Sequence, residues 1–221
     1  MEKKKLAPPQ IIEIVFDAGY LLFALAAGVF LLTKAGGSAV AALYGWMTLV
    51  LALGDSFHLV PRVYAHWTNT MAACRRALGI GKAVTSVTMT AFYMMLFYVW
   101  QLYFGVAAGG SLTVALWALA AARVALCLFP QNGWCSERPP ISWAVLRNIP
   151  FAVLGAVIVC LFAGRAVAGS LFAWMPLAIF LSFVFYFIVV LFADKNRKLG
   201  MFMLPKTCMY IWIISMGFGL I

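Results

Sequence analysis

Residues 40–63 read VAALYGWMTLVLALGDSFHLVPRV, and no charged side chain interrupts them before Asp55. The apolar positions are continuous. They do not alternate, as the strands of a membrane barrel would. From Val40 to Pro61 a helix rising about 1.5 Å per residue crosses hydrocarbon of about 30 Å. In lipid each backbone N–H and C=O must be paired within its own segment, which leaves a helix. Runs of the same kind recur at 11–32, 83–105, 111–129, 143–164, 171–193 and 201–221. Across 221 residues the chain is 66% hydrophobic and 10% charged, where a soluble domain carries roughly 25% charged residues. The expected protein is all-α and polytopic. It forms a single domain over 1–221, a bundle of seven transmembrane helices in a lipid bilayer.

The formal net charge is +10, a value that would suit nucleic acid. Its distribution argues against that partner, because no basic amphipathic arm is present and the cations sit in short loops. Lys3, Lys4 and Lys5 precede the first span. Arg62, Arg75, Arg76 and Lys82 lie between the second and third. Arg138 and Arg147 flank the loop after the fourth, and Lys195, Arg197 and Lys198 precede the last. The alternate loops hold only Lys34 and Arg165. The positive-inside rule then places the N-terminus in the cytoplasm and the C-terminus outside a cell membrane.

The basic start MEKKKLAPPQ resembles the flank of a signal sequence. The run after it is too long for one and contains Glu13 and Asp17, so an uncleaved first span is expected. Loop 62–82 has room for a short interfacial helix, with Met71, Ala72 and Leu78 on one side and Arg75 and Arg76 on another. Loop 130–142, rich in Pro and Gly, reads as irregular. Cys74, Cys127, Cys135, Cys160 and Cys208 form no CxxC pair and are expected as free thiols packed as small apolar residues. Trp46, Trp67, Trp134, Trp143 and Trp174 fall near span ends, as an aromatic belt would.

Polar residues gather at one depth. Asp55 lies roughly 9 Å short of the cytoplasmic boundary at about 1.5 Å per residue. Asp17, Ser86, Thr88, Arg123, Asn148 and Lys206 fall near the same level on other spans, with Tyr186 close behind. Asp55, His58 and Arg62 stand at i, i+3 and i+7, one face of a helix. Glu13 and Asp17 repeat at i, i+4, as do Lys206 and Tyr210. A charge facing lipid costs several kcal/mol, so such groups turn into a bundle and pair. Arg62, Arg147 and Lys206 lie near span ends and can either snorkel outward or turn in. His66 reads as a loop residue. A polar pocket open to the cytoplasm is the expectation. Its candidate catalytic residues are Asp55, His58 and Asp17. Ser56, Arg62, Ser86, Arg123, Asn148, Lys206 and Tyr210 are its candidate substrate-binding residues. Two histidines without an acid cluster do not make a zinc site, and no other cofactor is implied. GxSxG, P-loop and HExxH motifs are missing. Chemistry here would be acid/base activation of water by Asp55, with His58 or Lys206 steering charge. The depth suits a lipid or amphipathic small molecule.

The segment LALGDSFHLVPR (51–62) resembles the Gly-Asp motif and following Leu-Pro-Arg turn of the YhhN family of lysoplasmalogenases, multi-span membrane proteins of similar length. DKNRKLG (194–200) is similar to a basic loop before that family's last helix. The resemblance implies hydrolysis of the vinyl-ether bond of lysoplasmalogens, with Gly54 and Asp55 as the matching positions and Asp55 as catalytic acid or base. The chain departs from the family in lacking one N-terminal span and a late Ser-Asp pair. Ser182 is followed by Phe183, and Asp194 sits at the helix end. Asp17 is then the candidate second carboxylate. Two other functions fit the same polar layer: a transporter or ligand-binding seven-helix protein, and a structural subunit whose charges pair internally. A transporter needs a polar route through the outer half, where only Thr48, Gln101 and Thr113 are scattered among apolar residues.

Overall fold

The computed structural model describes residues 8–107, 109–193 and 196–221. Lys3, Lys4, Lys5, Asp194, Lys195 and the Arg197 side chain lie outside the described residues. Seven helices are long and apolar enough to cross a membrane. They are α1 (Pro8–Lys34), α2 (Ala39–Thr68), α3 (Arg75–Phe104), α4 (Gly110–Leu128), α5 (Ile141–Ala163), α6 (Met175–Phe192) and α7 (Met203–Met216). Short 3-10 turns, Arg197–Phe202 and Gly217–Leu220, extend α7 at both ends. No strand occurs among the described residues.

Sequence neighbours pack in a ring that α7 closes against α1, while α3 also reaches α5 across the centre. Alternation of direction defines two ends. One end, the near end, carries the start of α1 and the α2–α3, α4–α5 and α6–α7 connections. The far end carries the other three connections and the C-terminus. The interior is mostly apolar, yet large apolar side chains also cover the outside while several charged groups are buried. Leu22, Val29, Trp46, Leu53, Phe57, Trp67 and Phe180 are exposed, whereas Asp17, Asp55, Arg123 and Lys206 are buried. That pattern fits an integral, multi-pass membrane protein, in which the outer surface meets lipid and polar groups turn inward.

Two helices differ from expectation. α2 continues through Pro61 to Thr68 and α3 starts at Arg75. No separate interfacial helix forms in 62–82; its residues extend the two spans, leaving a tight connection capped by Asn69 in the left-handed region (φ 55°). Hydropathy marks where hydrocarbon ends, not where a helix must. His66 is therefore helical. Loop 130–140 is irregular apart from the short 3-10 turn Pro130–Asn132.

The near and far ends are built differently. At the far end Tyr44 stacks on Phe172 (ring centroids 5.8 Å apart), Tyr103 and Phe162 pack edge-on to Phe172, and the Tyr44 hydroxyl donates to the Ile213 carbonyl. The Trp100 indole donates to the Leu161 carbonyl (2.9 Å). This aromatic plug fills the interior. Of the five free cysteines only Cys127 is buried; Cys135, Cys160 and Cys208 are exposed, so most do not serve as core residues.

Candidate functional site

Gly54 explains where Asp55 sits. A Cβ at position 54 would overlap the Thr88 side chain of α3, and the Gly54 carbonyl accepts a hydrogen bond from Thr85 (2.9 Å). Four residues after Phe57, Pro61 offers no N–H to the Phe57 carbonyl. Gly81 of α3 packs against that same carbonyl, with no room for a Cβ there. The two glycines bring α2 and α3 together on either side of Asp55 and His58. Asp55 then lies roughly 20 Å from the Thr68 end at about 1.5 Å per residue, deeper in its helix than the apolar run alone implied.

Asp55 faces a cavity of about 530 Å³ at the near end. Of the residues singled out from the sequence, Asp17, Asp55, His58, Arg62, Ser86, Arg123, Lys206 and Tyr210 line it. Asn148 stands just behind the wall, accepting from Arg123 (2.8 Å) and from the Tyr186 hydroxyl (3.1 Å). Ser56 is not brought in. One residue beyond Asp55, it points around the helix, and its hydroxyl donates to the Leu53 carbonyl (2.6 Å). Thr88 packs on Gly54 instead of lining the cavity.

One wall is acidic. Tyr20 of α1, buried, donates to Asp55 Oδ2 (2.8 Å). Asp17 is 4% exposed, and its Oδ2 is buried with no hydrogen-bond partner among the described residues. Asp17 is close enough to Asp55, Glu13 and Arg62 for their charges to act on it. Nearer the mouth, Glu13 pairs with Arg62 (2.8 Å) and with His66 (3.4 Å). Arg62 thus turns inward and does not snorkel. His58 keeps Nδ1 buried and unpartnered among the described residues.

Across the ring from α1, the wall formed by α4 and α5 is cationic, and Lys206 of α7 stands between it and the acids. Arg123 of α4, 1% exposed, donates to Thr90 (3.0 Å), to the Arg147 carbonyl (2.9 Å) and to Asn148, and its guanidinium lies 3.7 Å over the Phe151 ring. Arg147 donates to Asn132 (2.9 Å) and stacks 4.2 Å over Trp134. Lys206 is 8% exposed, and its ammonium lies 4.7 Å from the Tyr210 ring and 5.6 Å from the Tyr186 ring. It lines the same cavity as Asp55. Between the walls run apolar residues, among them Met89, Phe151, Phe183, Val190 and Leu204. At the cavity wall Ser182 shares a hydrogen bond with Tyr93 (3.3 Å).

Tyr20, Ser182 and Thr90 were not foreseen as site residues. Tyr20 was legible in one respect: Glu13, Asp17 and Tyr20 stand at i, i+4 and i+7, the face that Asp55 meets. Thr90 and Ser182 carry no sequence signal beyond a hydroxyl inside a span. No group of three or more His, Cys, Asp or Glu side chains gathers among the described residues in a way that could hold a metal ion. What the cavity offers is a carboxylate pair, a neighbouring imidazole and amine, and a separate cationic wall, joined by apolar surface. Compared with known proteins, the chain matches no family model, no curated protein and no solved structure.

Proposed function

We propose that the protein is a membrane-embedded hydrolase of single-chain ether lipids, similar in chemistry to the YhhN lysoplasmalogenases, and that its cavity opens to the cytoplasm. The observation that carries this is the Asp17–Asp55 wall: two buried carboxylates beside an amphipathic cavity, one of them held by Tyr20. Two carboxyl groups in different surroundings can divide the roles of acid and base. One protonates the outer carbon of the vinyl ether. Water, deprotonated by the other, adds to the resulting oxocarbenium carbon. The hemiacetal then breaks to a fatty aldehyde and the glycerol hydroxyl, so that one water is consumed. Lys206 offsets negative charge at Asp55, and the apolar surface takes the chain.

Orientation rests on the cations. Arg62, Arg75, Arg76, Lys82, Arg138, Arg147 and Lys198 lie at the cavity end, against Lys34 and Arg165 at the far end. A transporter would need a second polar opening, and the Tyr44–Phe172–Phe162 plug occupies that position. A ligand-binding protein without catalysis has the cationic wall in its favour, since that wall can hold a head group without turning it over. Turnover decides between them. Purified protein in detergent is expected to release aldehyde from a lysoplasmalogen, and Asp55→Asn to release about 100-fold less or lower still. A well-folded wild type that releases none would overturn the hydrolase and leave the binding protein.

A further inference from the structure

Five cationic side chains (Arg62, Lys82, Arg123, Arg147, Lys206) and three acidic ones (Glu13, Asp17, Asp55) line the cavity. The acids all stand on α1 and α2. Among the described residues the ion pairs are Arg62–Glu13, His66–Glu13 and Arg75–Glu137. None of them involves Arg123, Arg147 or Lys206. The hydrogen-bond partners of Arg123 and Arg147 are all neutral: a threonine hydroxyl, a peptide carbonyl and two asparagine oxygens. Arg147 Nε is buried with no hydrogen-bond partner among the described residues. Burying a guanidinium away from water is unfavourable unless an anion or full hydrogen bonding compensates. Here the missing counter-charge falls on the side of Arg123 and Arg147.

The three groups form a connected unit. Arg123 and Tyr186 share Asn148, Arg123 holds the Arg147 carbonyl, and Lys206 lies over Tyr186. Phe151 and Trp134 fix the two guanidinium planes from below. Planar guanidinium forks together with an ammonium match a tetrahedral oxyanion that offers several acceptor oxygens.

We infer that the wall built by Arg123, Arg147 and Lys206 is a binding site for a phosphate ester. This deepens the proposed function by naming the head group; it rests on that function for the alkenyl chain but not for the anion. Phosphate bound here would reach from Arg123 and Arg147 on α4 and α5, across the ring from α1, to Lys206 on α7 beside the acids, and so would share one cavity with Asp17 and Asp55. The same chemistry could come from a phospholipid head or from a small phosphate ester in water.

The test is binding, read without turnover. A fluorescent lysophosphatidate and a monoacylglycerol of the same chain are titrated against the purified full-length protein in detergent. The phosphate-bearing lipid is expected to bind at least about 10-fold tighter. Arg147→Gln removes most of that preference and leaves monoacylglycerol binding unchanged, and Arg147→Lys keeps part of it. Arg123→Gln does the same if it elutes as a folded monodisperse species. Competition by glycerol phosphate would assign the site to the phosphate ester alone, and its failure to compete would assign the site to a lipid head. Equal affinity for the two lipids, a preference that survives the Arg147→Gln change, or no binding of either lipid to folded protein would overturn the inference. Phosphate-dependent binding without aldehyde release would overturn the hydrolase alone.

Discussion

The two ends of the bundle solve the same problem in opposite ways. At the far end the space between helices is filled by Tyr44, Tyr103, Phe162 and Phe172, and the buried hydroxyls of Tyr44 and Thr48 are each spent on a backbone carbonyl. At the near end the space is left open, and charged groups face it with incomplete hydrogen bonding. Packing accounts for the far end except for one hydroxyl, Ser170 Oγ, unpartnered among the described residues. The near end keeps features that packing does not ask for: an unpartnered Asp17 oxygen, an unpartnered His58 nitrogen and guanidinium groups without a counter-charge. Natural structures satisfy most buried polar groups; among the described residues four of the five unpartnered buried side-chain atoms belong to residues lining the cavity and the fifth, Ser170 Oγ, lies at the far end, so the near-end cluster marks a site that has something else to hold.

Substitutions can break or sharpen this contrast. The largest expected effect is on activity at the near end: Asp55→Asn lowers aldehyde release about 100-fold or more while the unfolding temperature, followed by tryptophan fluorescence, moves little. Next comes the α2–α3 contact that supports the site. Gly54→Val forces a branched side chain into Thr88 and should destabilise by about 1–3 kcal/mol, seen as earlier aggregation on a heated size-exclusion series. Tyr20→Phe removes the hydrogen bond to Asp55; a bond to a charged group contributes about 1.5–3 kcal/mol, so roughly tenfold of activity should go, with the fold intact. Tyr44→Phe at the far end reverses the pattern, with about 1 kcal/mol of stability lost and turnover unchanged. Smallest is Arg62→Gln. Its pair with Glu13 is partly exposed, at 27% and 26%, and its removal should shift stability by under about 1 kcal/mol. If Tyr44→Phe abolished turnover, or Asp55→Asn only unfolded the protein, the contrast between the ends would be lost.

The seven helices were legible because each needs a run long enough to cross hydrocarbon, and composition shows such runs directly. The ends of α2 and α3 were not. VYAHWT (63–68) is too polar and aromatic to register as a span, yet nothing in it stops a helix, and Pro61 lies inside α2 without ending it. Helical spacing correctly put Asp55, His58 and Arg62 on one face, and Lys206 beside Tyr210. It could equally have excluded Ser56, which shares no face with Asp55. Tyr20 escaped because an aromatic residue in a span looks like packing until its hydroxyl meets a carboxylate 35 positions away. The placing of the acids on α1 and α2 and of Arg123, Arg147 and Lys206 on α4, α5 and α7 around one cavity depends on how the ring of helices closes, which no single span encodes.

Access to the cavity tests the account most directly. In a variant freed of its five native cysteines, Ser86→Cys places a thiol on the cavity wall. It is treated with a charged, membrane-impermeant thiol reagent in sealed vesicles of known orientation. Labelling from the face that carries the N-terminus, and not from the other, is the predicted result. Labelling from the opposite face, or equally from both, would contradict a bundle sealed at the far end and open at the near one.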